Sequence, residues 1–221
     1  MNKITELESL KKKMAADTSL PKYEGSTQLV FGDGNVNAQV MCIGEGPGYW
    51  EDQKGRPFVG NAGALLNRLL TIAGLTREEG FVESGPESIF ITNVVNYRPP
   101  GNRDPLPEEM AAFAAYIDQI IEIVNPQVMV TLGRFSMAKF LPTARISTVH
   151  GKAFSLKWKT NNLLVVPMYH PAAALRNGAV MEEIRRDFAK LPEYIKKLKE
   201  TPPEEKKEKD APVGVEQMTL V

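Results

Sequence analysis

The sequence predicts an α/β fold: a three-layer α/β/α sandwich around a mostly parallel four-stranded sheet. Two observations support this prediction. Four short apolar runs alternate with segments of helical periodicity, and strands that alternate with helices form parallel sheets covered on both faces. The chain also has 221 residues, of which 43% are hydrophobic, which is enough for one domain with a full core.

The predicted elements follow one another along the chain. A helix at residues 3–16 precedes a long loop rich in turn-forming residues. The four strands are expected in the runs AQVMCIG (38–44), SIFITNVV (88–95), QVMVTLG (127–133) and LLVVPMYH (163–170). Further helices are expected at residues 61–75, 107–124, 134–141 and 178–200, the second of them with Pro107 near its start.

Composition limits the classes of function. No apolar run approaches the ~20 residues of a membrane-spanning helix, so no membrane partner is expected. The first residues are too polar for a secretory signal, and we expect a cytoplasmic protein. The single cysteine, Cys42, excludes an internal disulfide and a metal site built from several thiolates. Basic and acidic residues balance at 27 each, so net charge does not indicate nucleic-acid binding.

Polar side chains follow three of the predicted strands. Glu45 comes after the first strand, Asn93 lies at the end of the second, and His170 follows the fourth. In open parallel sheets the ligand lies beyond the carboxyl ends of the strands. The sequence therefore predicts that these three residues meet in one active site.

The segment GEGPGYWEDQKGRPFVGNAG, residues 44–63, joins the first strand to the next helix. Its glycines Gly44, Gly46 and Gly48 allow the backbone to approach a ligand closely, and Pro47 stiffens the turn. It also carries three acids, Glu45, Glu51 and Asp52. An ordinary strand-to-helix turn with solvent-facing acids is the alternative interpretation. ATP binding is disfavoured because the segment lacks the Lys-Ser/Thr ending of a P-loop.

Four motifs in a fixed order carry a resemblance. They are GEGPGxxEDxxGxPFVGxAGxLL (from Gly44), ITNVVxxRPPGNRDPxPEE (from Ile91), VTLGRF (from Val130) and HPAAxLR (from His170). Together they resemble family 4, the thermophile-type branch, of the uracil-DNA glycosylase superfamily. The likeness runs from about residue 30 to about residue 191. It implies excision of uracil from DNA, with uracil-containing DNA as the partner.

The resemblance implies a role for each matching residue. Phe58 would stack on the extruded uracil. Asn93 would hydrogen-bond the uracil edge, since its amide offers both a donor and an acceptor. His170 would donate to the uracil O2, and Glu45 would act near the sugar, with Glu51 or Asp52 sharing that work. The backbone from residue 46 to residue 48 would line the pocket. The defined positions of these motifs include no lysine, so the expected enzyme is monofunctional and leaves an abasic site.

Four residues are candidates for DNA contact. Leu175 and Arg176 follow the His170 motif, where the superfamily inserts a wedge into the base stack, and leucine suits a gap between bases. Arg98 and Arg103 are candidates for phosphate contact. Helix-start packing for Leu175 and loop solubility for the two loop arginines remain alternatives. For His150, the other histidine, we favour a structural role over contact with the DNA backbone.

The chain departs from the family at its metal site. Family 4 proteins usually hold a [4Fe–4S] cluster through four cysteines. Here the first two positions, near Asp17 and Leu20, carry no cysteine, and the other two carry Tyr97 and Phe113. We therefore expect no cofactor and no metal. Our hypothesis is that a small hydrophobic contact replaces the cluster and holds the same loops.

The end of the chain differs in composition from the rest. We expect a glycosylase-like domain over residues 1–200 and a flexible charged tail over residues 201–221. The tail ends in EQMTLV, which resembles short clamp-binding peptides. Gln217, Met218 and Leu220 match that pattern, and Val221 stands where phenylalanine is expected. A sliding clamp is the implied partner of a monomeric, nucleoid-associated enzyme.

Three functional alternatives stay open at this level. The chain is a uracil glycosylase, a weakly active lesion-binding relative, or a glycosylase for another deaminated base such as hypoxanthine or xanthine. Asn93 favours uracil among these bases without excluding the others.

Overall fold

We analysed a computed structural model of the chain, which describes residues 2–159, 161–200 and 216–218. The helices of these residues are α1 (Lys3–Ala16), α2 (Tyr49–Lys54), α3 (Asn61–Ile72), α4 (Pro107–Val124), α5 (Arg134–Ala138), α6 (Ile146–Val149), α7 (Pro171–Ala174) and α8 (Gly178–Glu200). The strands are β1 (Asp33–Asn35), β2 (Val40–Gly44), β3 (Thr76–Arg77), β4 (Phe81–Val82), β5 (Ser88–Asn93), β6 (Val128–Leu132), β7 (Ala153–Trp158), β8 (Asn161–Met168) and β9 (Glu216–Met218).

The four predicted strands form the centre of the sheet. β5, β2, β6 and β8 are neighbours in that order, and all are parallel. The predicted number of four strands is wrong, because the described sheet has nine. β1 pairs antiparallel with β5, and β7 pairs antiparallel with β8. β4, β9 and the short β3 extend the sheet further. The added strands are mostly two or three residues long, too short to show an alternating pattern.

Alternation along β2 shows why the sheet needs helices on both faces. Met41 and Ile43 pack into the core that contains α1 and α4, whereas Val40 and Cys42 pack into the core of α3 and α8. Successive strand side chains point to opposite faces, so a fully apolar strand must be covered twice. The three-layer α/β/α prediction is confirmed.

Helix ends follow the capping signals in the sequence. The Asn2 side chain accepts a 3.0 Å hydrogen bond from the Thr5 amide at the start of α1. Pro107 begins α4, and the Glu109 carboxylate accepts from the Leu106 amide at 2.7 Å. No helix among the described residues has the length and apolarity needed to cross a membrane.

Candidate active site

A cavity of about 800 Å³ opens at the carboxyl ends of the central strands. Its wall comes from five segments: the turn after β2 with Phe58 and Ala62, the loop of residues 99–105, the start of α5, Ile146 of α6, and the residues that follow β8. Glu45 and His170 both line this cavity. Of the predicted pocket residues, Gly46, Pro47, Gly48 and Phe58 also line it.

Asn93 ends β5 and is 1% exposed. Among the described residues, neither its amide nitrogen nor its amide oxygen has a hydrogen-bonding partner. Most buried polar atoms are paired, because an unpaired one costs about 1–3 kcal/mol. Asn93 is not itself part of the cavity wall. It lies behind Gly44, where a Cβ atom would overlap both the Asn93 amide oxygen and the Phe58 ring. Glycine at position 44 therefore lets the amide and the ring approach each other.

Phe58 adopts a left-handed backbone conformation with φ of 52°. A non-glycine residue in this region is strained and needs support from its surroundings. Arg77 supplies that support, because its guanidinium donates to the carbonyl oxygens of Pro57 and of Phe58, the latter at 2.8 Å. Asp33 in turn accepts from Arg77 at 3.2 Å. The sequence did not indicate this clamp, since Arg77 is 19 residues from Phe58.

His170 is held in one orientation and one tautomer. Its Nδ1 accepts a 3.2 Å hydrogen bond from the Ala172 amide and so caps α7. A neutral imidazole with an accepting Nδ1 carries its proton on Nε2, which leaves an N–H donor. Burial and, to a smaller extent, the positive charge of Arg176 together lower the pKa of His170 to about 4, against the opposing influence of Glu51. The ring centre lies 5.6 Å from that of Phe58.

Glu45 is the acid best placed for chemistry in the cavity. Burial raises the pKa of its carboxyl, and the nearby carboxylate of Asp104 raises it further. Arg134 and Arg176 oppose that shift. A carboxylate with a raised pKa accepts a proton more readily than an ordinary one.

Glu51 and Asp52 have different surroundings although they are adjacent in sequence. Glu51 lines the cavity, and its Oε1 accepts from the amides of Val59 and Gly60 at 2.8 and 2.9 Å. It therefore fixes the turn that carries Phe58. Asp52 does not line the cavity.

The expectation that Asp52 shares the catalytic work stays a prediction. Its buried carboxylate accepts from Ser26, from the amide and hydroxyl of Thr27 and from the Gln28 amide, at 2.8–3.3 Å. These hydrogen bonds keep its pKa low against the opposing effect of burial. Adjacent helical residues point about 100° apart, so Asp52 on α2 faces the loop of residues 26–28.

The candidate DNA-contact residues are not equivalent. Arg176 is exposed and lines the cavity, and Leu175 is exposed beside it. Arg98 is held by Asn102, which accepts from its Nε at 2.7 Å. Arg103 makes a two-pronged ion pair with Glu109 at 2.6 and 2.9 Å.

The ion pair gives Arg103 a structural role. The Arg103 guanidinium holds the pKa of Glu109 down to about 2, and also lies 5.6 Å from the Tyr23 ring centre. Arg103 thus fixes the loop of residues 99–105 to the start of α4.

The positions that the resemblance assigns to the cluster cysteines carry Asp17, Leu20, Tyr97 and Phe113. The rings of Tyr97 and Phe113 lie 6.2 Å apart, and Leu20 is buried in the same apolar cluster. Asp17 accepts a 2.7 Å hydrogen bond from the Tyr116 hydroxyl. The one cysteine, Cys42, is buried in β2 and packs on the opposite face of the sheet. These residues offer no thiolate set and do not suit a [4Fe–4S] cluster.

His150 lies outside the cavity wall. Its Nδ1 is 2.6 Å from the Asp187 carboxylate, and its ring centre is 4.4 Å from that of Tyr169. Among the tail residues, Gln217 and Met218 lie in β9, opposite Phe154 and Ala153 of β7. Leu220, Val221 and residues 201–215 lie outside the described residues, so the tail and the clamp peptide stay predictions.

Comparison with known proteins places the chain in a family. The family model described as the uracil DNA glycosylase superfamily matches residues 31–199. The type-4 uracil-DNA glycosylase of Sulfurisphaera tokodaii is 39% identical over 193 residues, which span 85% of this chain and 84% of the relative. The corresponding proteins of Thermotoga maritima and Archaeoglobus fulgidus are 37% and 40% identical, over 86% and 81% of this chain and 95% and 88% of those relatives. The chain belongs to the uracil-DNA glycosylase superfamily, and its relatives there are type-4 enzymes.

Proposed function

We propose that this protein hydrolyses the N-glycosidic bond of uracil in DNA and leaves an abasic site, as the first step of base excision repair. The observation that carries the proposal is the unpaired amide of Asn93, buried beside the Phe58 ring. One amide donor and one amide acceptor complement the imide edge of uracil. Binding the base would pair two atoms that the described protein leaves without partners.

The reaction divides charge between the two sides of the breaking bond. As the C1′–N1 bond opens, its electron pair moves onto the base and negative charge develops at O2. The Nε2–H of neutral His170 donates to that oxygen, and the histidine need not give up its proton. A preorganised donor of this kind contributes about 3–4 kcal/mol in other enzymes.

Glu45 acts on the sugar side. Its carboxylate stabilises the cation-like C1′ and accepts a proton from the attacking water, whose oxygen bonds to C1′. Glu45 then releases this proton to solvent, and the uracil anion takes up a proton from solvent after it leaves. Glu51 supports the turn that carries Phe58, which stacks on the base. Extrusion of the base costs a few kcal/mol in a duplex and less in a single strand.

The test uses oligonucleotides that each carry one uracil, hypoxanthine or xanthine, followed by alkaline cleavage of abasic sites. We expect strand breaks at uracil. An intact uracil strand would overturn the proposal, and cleavage confined to hypoxanthine or xanthine would replace it with the alternative glycosylase. A covalent protein–DNA adduct trapped by borohydride would contradict the monofunctional mechanism.

We further propose that the enzyme works without an iron–sulfur cluster, because aromatic and aliphatic packing occupies the cysteine positions. Iron and acid-labile sulfide are measured in protein purified without oxygen. Stoichiometric amounts of both would contradict this.

The remaining proposals rest on sequence alone. The tail peptide with Gln217, Met218 and Leu220 is proposed to bind a sliding clamp, and the enzyme to act as a cytoplasmic, nucleoid-associated monomer. A flexible tether would raise the local concentration of the enzyme at the clamp. Pull-down with the cognate clamp, with and without residues 215–221, tests the first of these, and sedimentation tests the oligomeric state.

A further inference from the structure

Two large aromatic side chains stand exposed beside the active-site cavity. Tyr49 is 48% exposed and Trp50 is 57% exposed. They begin α2, directly after the buried strand β2 and the turn that lines the cavity. Their chain neighbours Gly48 and Glu51 line the cavity. Single exposed apolar residues are common, but two adjacent aromatic residues at the rim of a binding cavity mark an interaction surface.

The two rings are held in place by their neighbours. They contact each other edge to face, with ring centres 5.1 Å apart and planes at 78°. The Arg98 guanidinium lies 5.2 Å from the Tyr49 ring centre and is itself fixed by Asn102. On the other side, Trp50 packs close to Gly60, where an added Cβ would lie 3.4 Å from its Cδ1 atom. The rings therefore form a fixed ridge, the Tyr49–Trp50 ridge, between Arg98 and Gly60.

The position and charge of the ridge indicate its ligand. A strand that delivers uracil to the cavity must continue past the rim on both sides, so the ridge is continuous with the DNA-binding site. An aromatic face stacks on any base that is not already stacked, and an adjacent arginine attracts phosphate. Duplex DNA does not offer such a base without being opened, whereas a single strand does.

We propose that the Tyr49–Trp50 ridge binds an unpaired nucleobase next to the extruded uracil and favours single-stranded or locally opened DNA. The inference deepens the proposed uracil excision and rests on DNA passing the same cavity. The binding itself requires no excision, so it can be tested separately. Trp50 provides the larger exposed ring, and Tyr49 with Arg98 orients it.

The first test uses Trp50 as its own reporter. The chain has two tryptophans, so Trp158→Phe leaves Trp50 alone. The Trp158 indole nitrogen is buried without a partner among the described residues, so this change removes no hydrogen bond there. Titration with a uracil-free oligothymidylate should quench Trp50 emission saturably, with the same midpoint as the anisotropy of the labelled oligonucleotide. Binding without a change in emission, or no saturable binding, would overturn the proposal.

The second test separates affinity from chemistry. Trp50→Ala should weaken kcat/KM on a single-stranded uracil oligonucleotide roughly 5- to 150-fold, the equivalent of about 1–3 kcal/mol. The loss should appear mainly in KM, be smaller on a duplex, and be largely restored by Trp50→Phe. Ile72→Ala is the matched control. Like Trp50, Ile72 is a large exposed apolar side chain, 48% against 57%, but it lies at the end of α3 that is remote from Gly60. An unchanged KM for Trp50→Ala, or an equal loss for Ile72→Ala, would contradict the proposal.

Discussion

The proposed uracil pocket and the proposed replacement region, around Tyr97 and Phe113, are built in opposite ways. At the pocket, the buried Asn93 amide has no partner among the described residues and Phe58 has a strained backbone. In the replacement region, Glu109 is paired with Arg103, Asp17 with Tyr116, and the rings of Tyr97 and Phe113 pack together. The first region therefore contains an unpaired amide and a strained backbone, whereas Glu109 and Asp17 of the second are hydrogen-bonded.

If the proposed function is right, this difference separates the groups that bind the substrate from those that support the fold. Strain and unpaired polar atoms persist only where the surrounding structure enforces them. Arg77 and Glu51 enforce the strained conformation of Phe58, because their hydrogen bonds hold the backbone of residues 57–60. Changes in the two regions should therefore affect different measurements.

The largest expected effect is on stability, from Phe113→Ala. Phe113 is fully buried in the apolar cluster with Tyr97, and removing a buried phenylalanine costs about 3–5 kcal/mol. Chemical denaturation should show this loss, while single-turnover excision per folded molecule at low temperature stays near the wild-type rate. A folded variant with slow excision would show that the two regions are coupled, and the comparison would fail.

His170→Asn should reverse that pattern. Asparagine is a good N-cap and can replace the acceptor that Nδ1 presents to the Ala172 amide, so folding should be preserved. The Nε2–H donor is lost, and the single-turnover rate should fall about 10²- to 10³-fold, as on removal of one oxyanion donor elsewhere. The measurement is the single-turnover excision rate at saturating enzyme, compared between the variant and the wild type. An unchanged rate would remove His170 from the mechanism.

The sequence predicted the central strands but not the contacts that support Phe58. Long apolar runs identified the parallel strands. Of the polar residues at their ends, Glu45 and His170 line one cavity, and Asn93 lies behind Gly44. The hydrogen bonds of Asp52 to residues 26–28 could not be predicted from its position next to Glu51, because adjacent residues on a helix point in different directions. The positive φ of Phe58 and its clamp by Arg77 depend on tertiary contacts, which no local pattern reports.

Asn93 and Asn96 provide a matched pair for a finer test. Both are buried, but Asn96 donates to the carbonyl oxygens of Val30 and Phe31 at 2.8 and 3.2 Å. Asn93→Ala should lower kcat/KM for uracil roughly 5- to 150-fold, since about 1–3 kcal/mol follows from an unpaired buried group. Its effect on stability should be small. Asn96→Ala should lose about 1–3 kcal/mol of stability and keep its excision rate when folded. Equal stability losses in the two variants would contradict the assignment of Asn93 to the substrate.

The smallest expected effect is a pH dependence of stability. The pKa of His170 falls from 6.5 to about 4 on folding, so between these values the unfolded chain binds more protons than the folded one. Stability must then rise with pH across this window and decline as pH falls from 6.5 towards 4. Thermal melts at about pH 7 and about pH 5 should show a larger drop in Tm for the wild type than for His170→Asn. The two carboxylates with the clearest structural pairing, on Asp52 and Glu109, have lowered pKa values and lose their protective charge only at lower pH. Equal Tm changes in the two proteins would show that His170 keeps an ordinary pKa. His170 would then be largely protonated near pH 5, contrary to the proposed mechanism.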